Sequence, residues 1–134
     1  MIRYMLDTNI VSYALRERPR AVLDRLGAVR PDQTCISAIT LAELRFGAAR
    51  SLARVKYDAL IDTFVSRVRV EPFTDDAALQ YGDVRAALES AGRRLGDLDM
   101  LIAAHALEAG CVLVTHNGRE FERVPRLAVE DWTA

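Results

Sequence analysis

The chain has 134 residues, of which 51% are hydrophobic and 28% are charged, and its formal net charge is −1. This length favours one domain that buries a core without disulfides or metals, and the composition is that of an ordinary globular protein. The charge excludes a global basic field, so contact with a polyanion would depend on local charge. All of the 18 cationic residues except Lys56 are Arg, which suits phosphate contacts but would equally follow from a GC-rich genome.

The first third of the chain predicts two short strands and an interrupted helix. Residues 2–6 form an apolar run that indicates a buried strand. A helix begins over residues 10–15, is interrupted by Pro19 and continues over residues 21–26. Residues 34–37 form a second short apolar run, which we interpret as the next strand.

The rest of the chain alternates between short apolar runs and segments whose apolar residues recur at intervals of three or four. In chain order we predict helices over 39–46 and 57–65, a strand over 68–70, helices over 75–90 and 99–109, a strand over 111–115 and a candidate strand over 127–129. Strands that alternate with helices and are apolar on both faces predict a parallel sheet covered by helices, the α/β class. In such sheets ligands bind beyond the carboxyl ends of the strands.

Two further features bear on where the protein works. Cys35 and Cys111 each lie in a short apolar stretch, far from any other Cys or His pair, so we expect buried free thiols. The first residues lack the apolar core of a signal peptide, and the most apolar late stretch, residues 100–107, contains His105 and precedes Glu108. We therefore expect a cytoplasmic protein without a membrane partner.

Four polar residues follow strands or begin helices of the predicted fold. Asp7 comes directly after the first strand, Glu43 lies in the helix after the second, Asp99 begins a helix, and Asn117 follows the fourth strand. The fold could bring all four to one edge of the sheet. Clustered carboxylates raise one another's pKa, and a cation that neutralises them would be a hard ion such as Mg²⁺ or Mn²⁺.

Each of these residues also has a purely structural explanation. Asp7 could cap the following helix, and Glu43 could complete a capping box with Thr40. Asp99 is favourable at a helix start without any ligand, and Asn117 with the glycine after it is a common turn pair. The residues taken singly leave these alternatives open.

In combination the motifs carry a family resemblance. The segments LDTNIVSYAL, SAITLAELRFGAARS and GDLDMLIAAHALEAGCVLVTHNGREF closely resemble PIN-domain ribonucleases, and within them the VapC toxins of bacterial toxin–antitoxin pairs. The resemblance implies a single three-layer α/β/α domain over residues 1–134, with a mostly parallel sheet of four to five strands. It also implies a Mg²⁺-dependent endoribonuclease, in which Mn²⁺ can substitute, with Asp7, Glu43 and Asp99 as metal ligands and Asn117 at a fourth, often acidic, catalytic position.

The resemblance and the local charge also suggest residues that contact the substrate. Smaller polar residues match positions around the family's site: Thr8, Asn9, Ser37 and Thr115. Arg93 and Arg94 lie in the loop before the acidic segment and could contact phosphates or pair with the carboxylates; Arg16, Arg18 and Arg20 are further cationic candidates. Asp97 could add the charge that Asn117 lacks, or could serve only as a helix-start charge.

The resemblance further implies partners. These are a cognate VapB-type antitoxin bound in a groove of the helices between residues 38 and 66, an RNA substrate such as initiator tRNA, and a second copy of the chain in a homodimer.

Two other functions compete with that of a metal-dependent ribonuclease. A haloacid-dehalogenase-like phosphatase also has an Asp after its first strand but needs Asp-x-Asp, where this chain has Asn9. A catalytically inactive PIN-fold RNA- or protein-binding module would keep the fold and lose the chemistry.

Overall fold

The central sheet of the protein has five strands, all parallel, in the order β3-β2-β1-β4-β5. The computed structural model describes all 134 residues. The strands are β1 (Tyr4–Leu6), β2 (Thr34–Ser37), β3 (Arg69–Glu71), β4 (Val112–Val114) and β5 (Val129–Glu130). The helices are α1 (Thr8–Leu15), α2 (Arg20–Ala28), α3 (Ala38–Ala49), α4 (Arg54–Val65), α5 (Asp75–Ser90), α6 (Asp97–Ala109) and α7 (Gly118–Phe121).

The strand order places a topological switch point beside β1. The chain runs outward from β1 through β2 to β3, then returns to the other side of β1 to form β4 and β5. Because all strands are parallel, their carboxyl ends lie at the same edge, and the ends of β1 and β4 flank the switch point. This is where a sheet of this kind binds ligands.

Two hydrophobic clusters cover the two faces of the sheet. Along β1, Met5 belongs to one cluster while Tyr4 and Leu6 belong to the other, as alternation along a strand requires. The first cluster includes residues of α5 and α6, and the second includes residues of α1, α2, α3 and α4. The predicted three-layer α/β/α architecture is therefore confirmed.

The element boundaries differ from the sequence prediction in instructive ways. Helix α5 occupies the predicted range, since Thr74 caps it by accepting from the Ala77 amide at 3.3 Å. Helix α3 passes through Gly47 to Ala49, because nothing at that position forces the chain to turn. Helix α7 was not predicted, since its N-cap Asn117 and its first residue Gly118 also suit a turn.

Two other expectations can be compared with the structure. Cys35 and Cys111 are both buried and both free, as predicted. None of the helices has the length and apolar character needed to span a lipid bilayer.

Candidate active site

Asp7 lies at the carboxyl end of β1 and is held by hydrogen bonds to both of its carboxylate oxygens. It is the N-cap of α1, where Oδ1 accepts from the Thr8 amide at 2.7 Å. Oδ2 accepts from the Thr115 hydroxyl at 2.8 Å, which ties β1 to the end of β4. The side chain is 3% exposed. Asp7 therefore does cap a helix, but the cap is also a buried carboxylate at the switch point of the sheet.

Glu43 reaches the same place from the other side of β1. Helix α3 begins at Ala38 with Ser37 as its N-cap, so Glu43 lies beyond the position that a capping box uses. Instead, Glu43 Oε1 accepts from the Thr8 hydroxyl at 2.6 Å. The capping-box explanation is therefore wrong, and Thr8 links the carboxylates of Asp7 and Glu43.

Asp99 lies in the first turn of α6 and completes an electrostatically coupled group. Burial, followed by the negative charges of Asp7, Glu43 and Glu120, raises the pKa of Asp99 to about 6. The pKa of Asp7 is also raised, chiefly by burial and to a smaller extent by Glu43, against hydrogen bonds from Thr115 and Thr8 that lower it. The charge of Glu43 thus lies close enough to both aspartates to disfavour their ionisation.

The acidic residues share one cleft of about 350 Å³. Its lining consists of Asp7, Thr8, Asn9, Ser12, Tyr13, Arg16, Glu43, Asp99 and Asn117. The residues that the sequence singled out as catalytic therefore all face the same cavity, although they are separated by up to 110 positions in the chain. Asn117 is the most exposed of them, at the start of α7.

The cleft can be tested for its fit to a divalent cation. No three His, Cys, Asp or Glu side chains in the structure form a ready-made metal site. The three carboxylates line the cleft without forming such a site. Their oxygens are of the kind that Mg²⁺ and Mn²⁺ prefer, and Mg²⁺ commonly keeps several waters rather than a complete protein cage. The donor set therefore fits such an ion in kind, with waters needed to complete its shell.

Ser37 and Thr115, expected to contact substrate, lie beneath the cleft instead. Both are 0% exposed, because they are the last strand residue of β2 and the residue directly after β4. Ser37 accepts from the Ile39 amide at 3.0 Å and is 2.8 Å from His105 Nδ1. Thr115 donates to Asp7 and accepts from the Asn117 amide at 3.0 Å. They position other groups and offer no surface to a substrate.

His105 is a packed core residue, as its apolar neighbours in the sequence indicate. It is 2% exposed, contacts Ser37 and meets the ring of Phe73 edge-on at 5.3 Å. Burial lowers the pKa of His105 below its ordinary 6.5, against smaller raising effects of Glu108, Glu71 and the Pro72 carbonyl. The native state thus takes up the His105 proton less readily than the unfolded chain does.

We expect this difference to make stability depend on pH. The contribution of neutral His105 to the free energy of unfolding is fully present above pH 6.5. It is lost as the pH falls towards the pKa of His105 in the native state, and the free energy of unfolding then changes by at most about 1.4 kcal/mol per pH unit. Urea unfolding of wild type and His105→Gln between pH 5 and 7.5 measures it. Asp7 and Asp99 act in the opposite sense in both proteins, so the difference in slope isolates His105. Equal slopes would contradict this prediction.

Of the arginines predicted to contact phosphate, Arg93 and Arg94 do not line the cleft. Arg94 pairs with Asp97 and lies 3.9 Å from Glu89, and Arg93 is exposed outside the cleft. A loop arginine beside carboxylates has thus paired with them. Asp97 forms this ion pair with Arg94 and does not line the cleft. It therefore serves as a negative charge in the first turn of α6.

Arg16 is the cationic side chain that does line the cleft. The sequence contained a signal for this position. The polar side chains of this helix are three or four residues apart, from Asn9 to Ser12 or Tyr13 and then to Arg16. Residues with this spacing share one face of a helix. The helix that Asp7 caps therefore carries Arg16 to the rim of the acidic site.

Known proteins resemble this chain in sequence and in structure. The PIN domain family model matches residues 4–127. The chain is 40% identical over 132 residues to the tRNA(fMet)-specific endonuclease VapC of Salmonella typhimurium. The alignment covers 98% of this chain and 99% of that relative. The chain is 41% identical to ribonuclease VapC2 of Haemophilus influenzae, with the same coverage of 98% and 99%.

A solved structure agrees with the sequence matches. The crystal structure of DNA-bound VapBC from Salmonella typhimurium contains a chain that superposes with a TM-score of 0.93 at 40% identity, over 98% of this chain and 99% of that one. The likeness thus extends over the whole domain, including every element that contributes to the acidic cleft. This chain belongs to the PIN-domain family and, within it, to the VapC ribonuclease toxins.

Proposed function

We propose that this VapC ribonuclease uses Mg²⁺ to hydrolyse RNA phosphodiester bonds in the acidic cleft. Asp7, Glu43 and Asp99 would hold the ion, with Asn117 beside them. The observation that carries this proposal is that the carboxylates of Asp7, Glu43 and Asp99, which come from the end of β1, from α3 and from α6, line one cavity. Burial there, followed by the charges of Asp7 and Glu43, raises the pKa of Asp99 to about 6. A bound divalent cation supplies activation of a water and stabilisation of the charge on the leaving oxygen.

The chain's own residues would orient this site. The Thr8 amide and the Thr115 hydroxyl fix the two oxygens of Asp7, and the Thr8 hydroxyl holds Glu43. Ser37 and His105, a potential nucleophile and base, are buried against each other away from the cleft. This pair therefore does not supply a nucleophile and a base to the cleft.

We infer that the substrate is a transfer RNA, with initiator tRNA as the first candidate. The Salmonella relative, 40% identical to this chain, is named as specific for tRNA(fMet). Proteins read folded RNA mainly through unpaired loops, whose bases are free to leave the stack. We therefore expect the cut to fall in a single-stranded loop.

We also propose that a VapB-type antitoxin occupies an apolar groove next to the acidic cleft. The groove has a volume of about 720 Å³ and lies between α1, α3 and α4. Phe46 and Tyr57 line it and are 64% and 39% exposed, which is unusual for large apolar side chains. Such a groove suits an amphipathic helix of a partner. Thr8, Ser12, Arg16 and Glu43 line both cavities, so a partner bound in the groove would lie at the entrance to the cleft.

One experiment tests substrate, metal and antitoxin together. Antitoxin-free protein is incubated with total tRNA in Mg²⁺, in EDTA, and in Mg²⁺ with a cognate VapB-type antitoxin, and the ends of the products are mapped. We expect cuts in one loop of initiator tRNA in the first reaction and none in the other two. Cleavage in EDTA would reject the metal, and cleavage of other RNAs only would reject the target. An inactive protein would restore the hypothesis of a binding module. Light scattering of the same sample tests the expected homodimer.

The haloacid-dehalogenase-like phosphatase has no remaining support. The second acidic position that its chemistry needs is Asn9, whose side chain accepts from the His116 amide at 3.4 Å. The family match covers residues 4–127 and is to the PIN domain.

Asn117→Asp is expected to tighten binding of Mn²⁺, which reports on the same ligands as Mg²⁺. Asn117 lines the cleft and is exposed, so a carboxylate there would add a fourth negative charge without burial. Because affinity for hard cations rises with the number of charged ligands, we expect a gain of about tenfold. Calorimetric titration of metal-free protein measures it, and unchanged affinity would place Asn117 outside the metal shell.

A further inference from the structure

The rim of the acidic cleft carries an aromatic and a cationic side chain that the proposed hydrolysis does not use. Tyr13 and Arg16 both line the cleft and lie one helical turn apart on α1 and its C-cap. The guanidinium carbon of Arg16 lies 5.6 Å from the centre of the Tyr13 ring. Its Nε donates to the Ser12 carbonyl at 3.4 Å. Arg16 is thus an exposed cation held over an aromatic face, beside three carboxylates.

His116, in the loop after β4, packs against the Tyr13 side chain. Its ring meets that of Tyr13 edge-on, with centroids 6.0 Å apart. His116 Nδ1 lies 3.1 Å from the Thr133 hydroxyl and 3.3 Å from Asp131, and its amide donates to Asn9 at 3.4 Å. The segment after β4 and the C-terminal residues therefore hold the His116 ring against Tyr13.

These side chains have the chemistry of a single-stranded RNA site. A base stacks on an aromatic ring whatever its identity, and an Arg guanidinium contacts phosphate and can also stack. Arg16 is the only cationic side chain that lines the cleft, so it is the protein group there that adds to a bound metal ion in offsetting the repulsion between the carboxylates and an RNA backbone. A strand entering the cleft would meet the Tyr13 ring and the Arg16 charge at its edge.

We propose that Tyr13 and Arg16 form a nucleotide subsite of the ribonuclease, with Arg16 binding a backbone phosphate and Tyr13 stacking on the adjacent base. His116 is a positioning residue for Tyr13. The subsite rests on the proposed function, because it serves the strand that is cut at Asp7, Glu43 and Asp99. It explains how a chain of net charge −1 holds RNA beside an acidic centre.

The test measures affinity for a labelled single-stranded RNA oligonucleotide by fluorescence anisotropy, in Mg²⁺, using Asp7→Asn protein so that the RNA stays intact. Arg16→Gln should weaken binding and reduce the slope of log K against log salt by about 0.7, the value for one phosphate contact on a single strand. Tyr13→Leu should weaken binding about 5- to 150-fold without changing that slope. Tyr13→Phe, which keeps the aromatic face, should bind more tightly than Tyr13→Leu.

Arg67→Gln is the matched control, because Arg67 is exposed and lines neither the cleft nor the apolar groove. It should leave affinity and slope unchanged. In the active protein, Arg16→Gln and Tyr13→Leu should raise KM more than they lower kcat. Parental affinity and slope in Arg16→Gln, or parental affinity in Tyr13→Leu, would overturn the subsite. Cleavage of the RNA by the Asp7→Asn parent would instead overturn the assignment of the metal site, and the affinities would still decide the subsite.

Discussion

Asp7→Asn is expected to lower the rate of RNA cleavage at least about 100-fold while leaving the fold intact. Loss of a residue that merely supports a metal ligand typically costs 10- to 100-fold, so loss of a charged ligand should cost at least the upper value. The substitution keeps the volume of the side chain, and Asn is as good an N-cap as Asp, so the bond from the Thr8 amide can persist. Thr115 can turn its hydroxyl to accept from the new amide group.

The same variant should melt at a higher temperature than wild type when both are free of metal. Burial, with a smaller contribution from Glu43, raises the pKa of Asp7, so its ionised form opposes folding at neutral pH. Calorimetry in EDTA measures the shift, and product formation from tRNA in Mg²⁺ measures activity. The control is Asp83→Asn, an exposed carboxylate on α5, which should change neither. Full activity in Asp7→Asn would refute its role as a ligand, and a large fall in melting temperature would show that Asp7 is structural.

Trp132→Ala is expected to destabilise the protein by about 3–5 kcal/mol, the usual cost of deleting a large buried aromatic side chain. Trp132 is 0% exposed and meets the ring of Tyr4 edge-on at 5.2 Å. Its indole Nε1 donates to Glu130 Oε1 at 3.0 Å, and the guanidinium of Arg25 lies 5.1 Å from its ring centre. The residue thus joins the C-terminal segment to β1 and α2.

Urea unfolding measures the loss, with Trp132→Phe and Leu79→Ala as references. Phe keeps one aromatic ring in the core but loses the hydrogen bond to Glu130 and part of the buried volume, so it should cost less than Ala. Leu79 is 70% exposed on α5, so its truncation should change stability by no more than about 0.5 kcal/mol. A loss in Trp132→Ala as small as that of Leu79→Ala would contradict the packing assigned to Trp132.

These two predictions concern the same strand. Trp132 packs on Tyr4 at the start of β1, and Asp7 follows the end of β1. Loosening the C-terminal segment should therefore also disturb His116 and the rim of the cleft, because Asp131 and Thr133 contact His116. Stability and activity should be measured on the same Trp132→Ala preparation for this reason.

The sequence by itself determined the fold class, the family and the residues of the acidic site. Short apolar runs alternate along the chain with segments whose apolar residues recur every three or four positions. This alternation of strands and helices indicates a parallel sheet, because the spacing of apolar residues reflects which side chains each element buries. The residues after strands then indicated Asp7 and Asn117, since parallel strands place their carboxyl ends at one edge. Glu43, in the helix after the second strand, and Asp99, at a helix start, were indicated in the same way. The resemblance then implied their roles, and all four residues line one cleft in the structure.

Only the tertiary structure decided which neighbouring polar groups face that cleft. Ser37 and Thr115 are small hydroxyl residues like Thr8, yet both are fully buried. Ser37 ends β2 and Thr115 directly follows β4, so both lie within the sheet layer, whereas Thr8 is the first residue of helix α1. Arg94 stands near the acidic segment in sequence but pairs with Asp97, whereas Arg16 reaches the cleft across a helix turn. Which side chains meet in the cleft depends on distances between elements that are remote in the chain, such as α1, α3 and α6, and local patterns do not contain those distances.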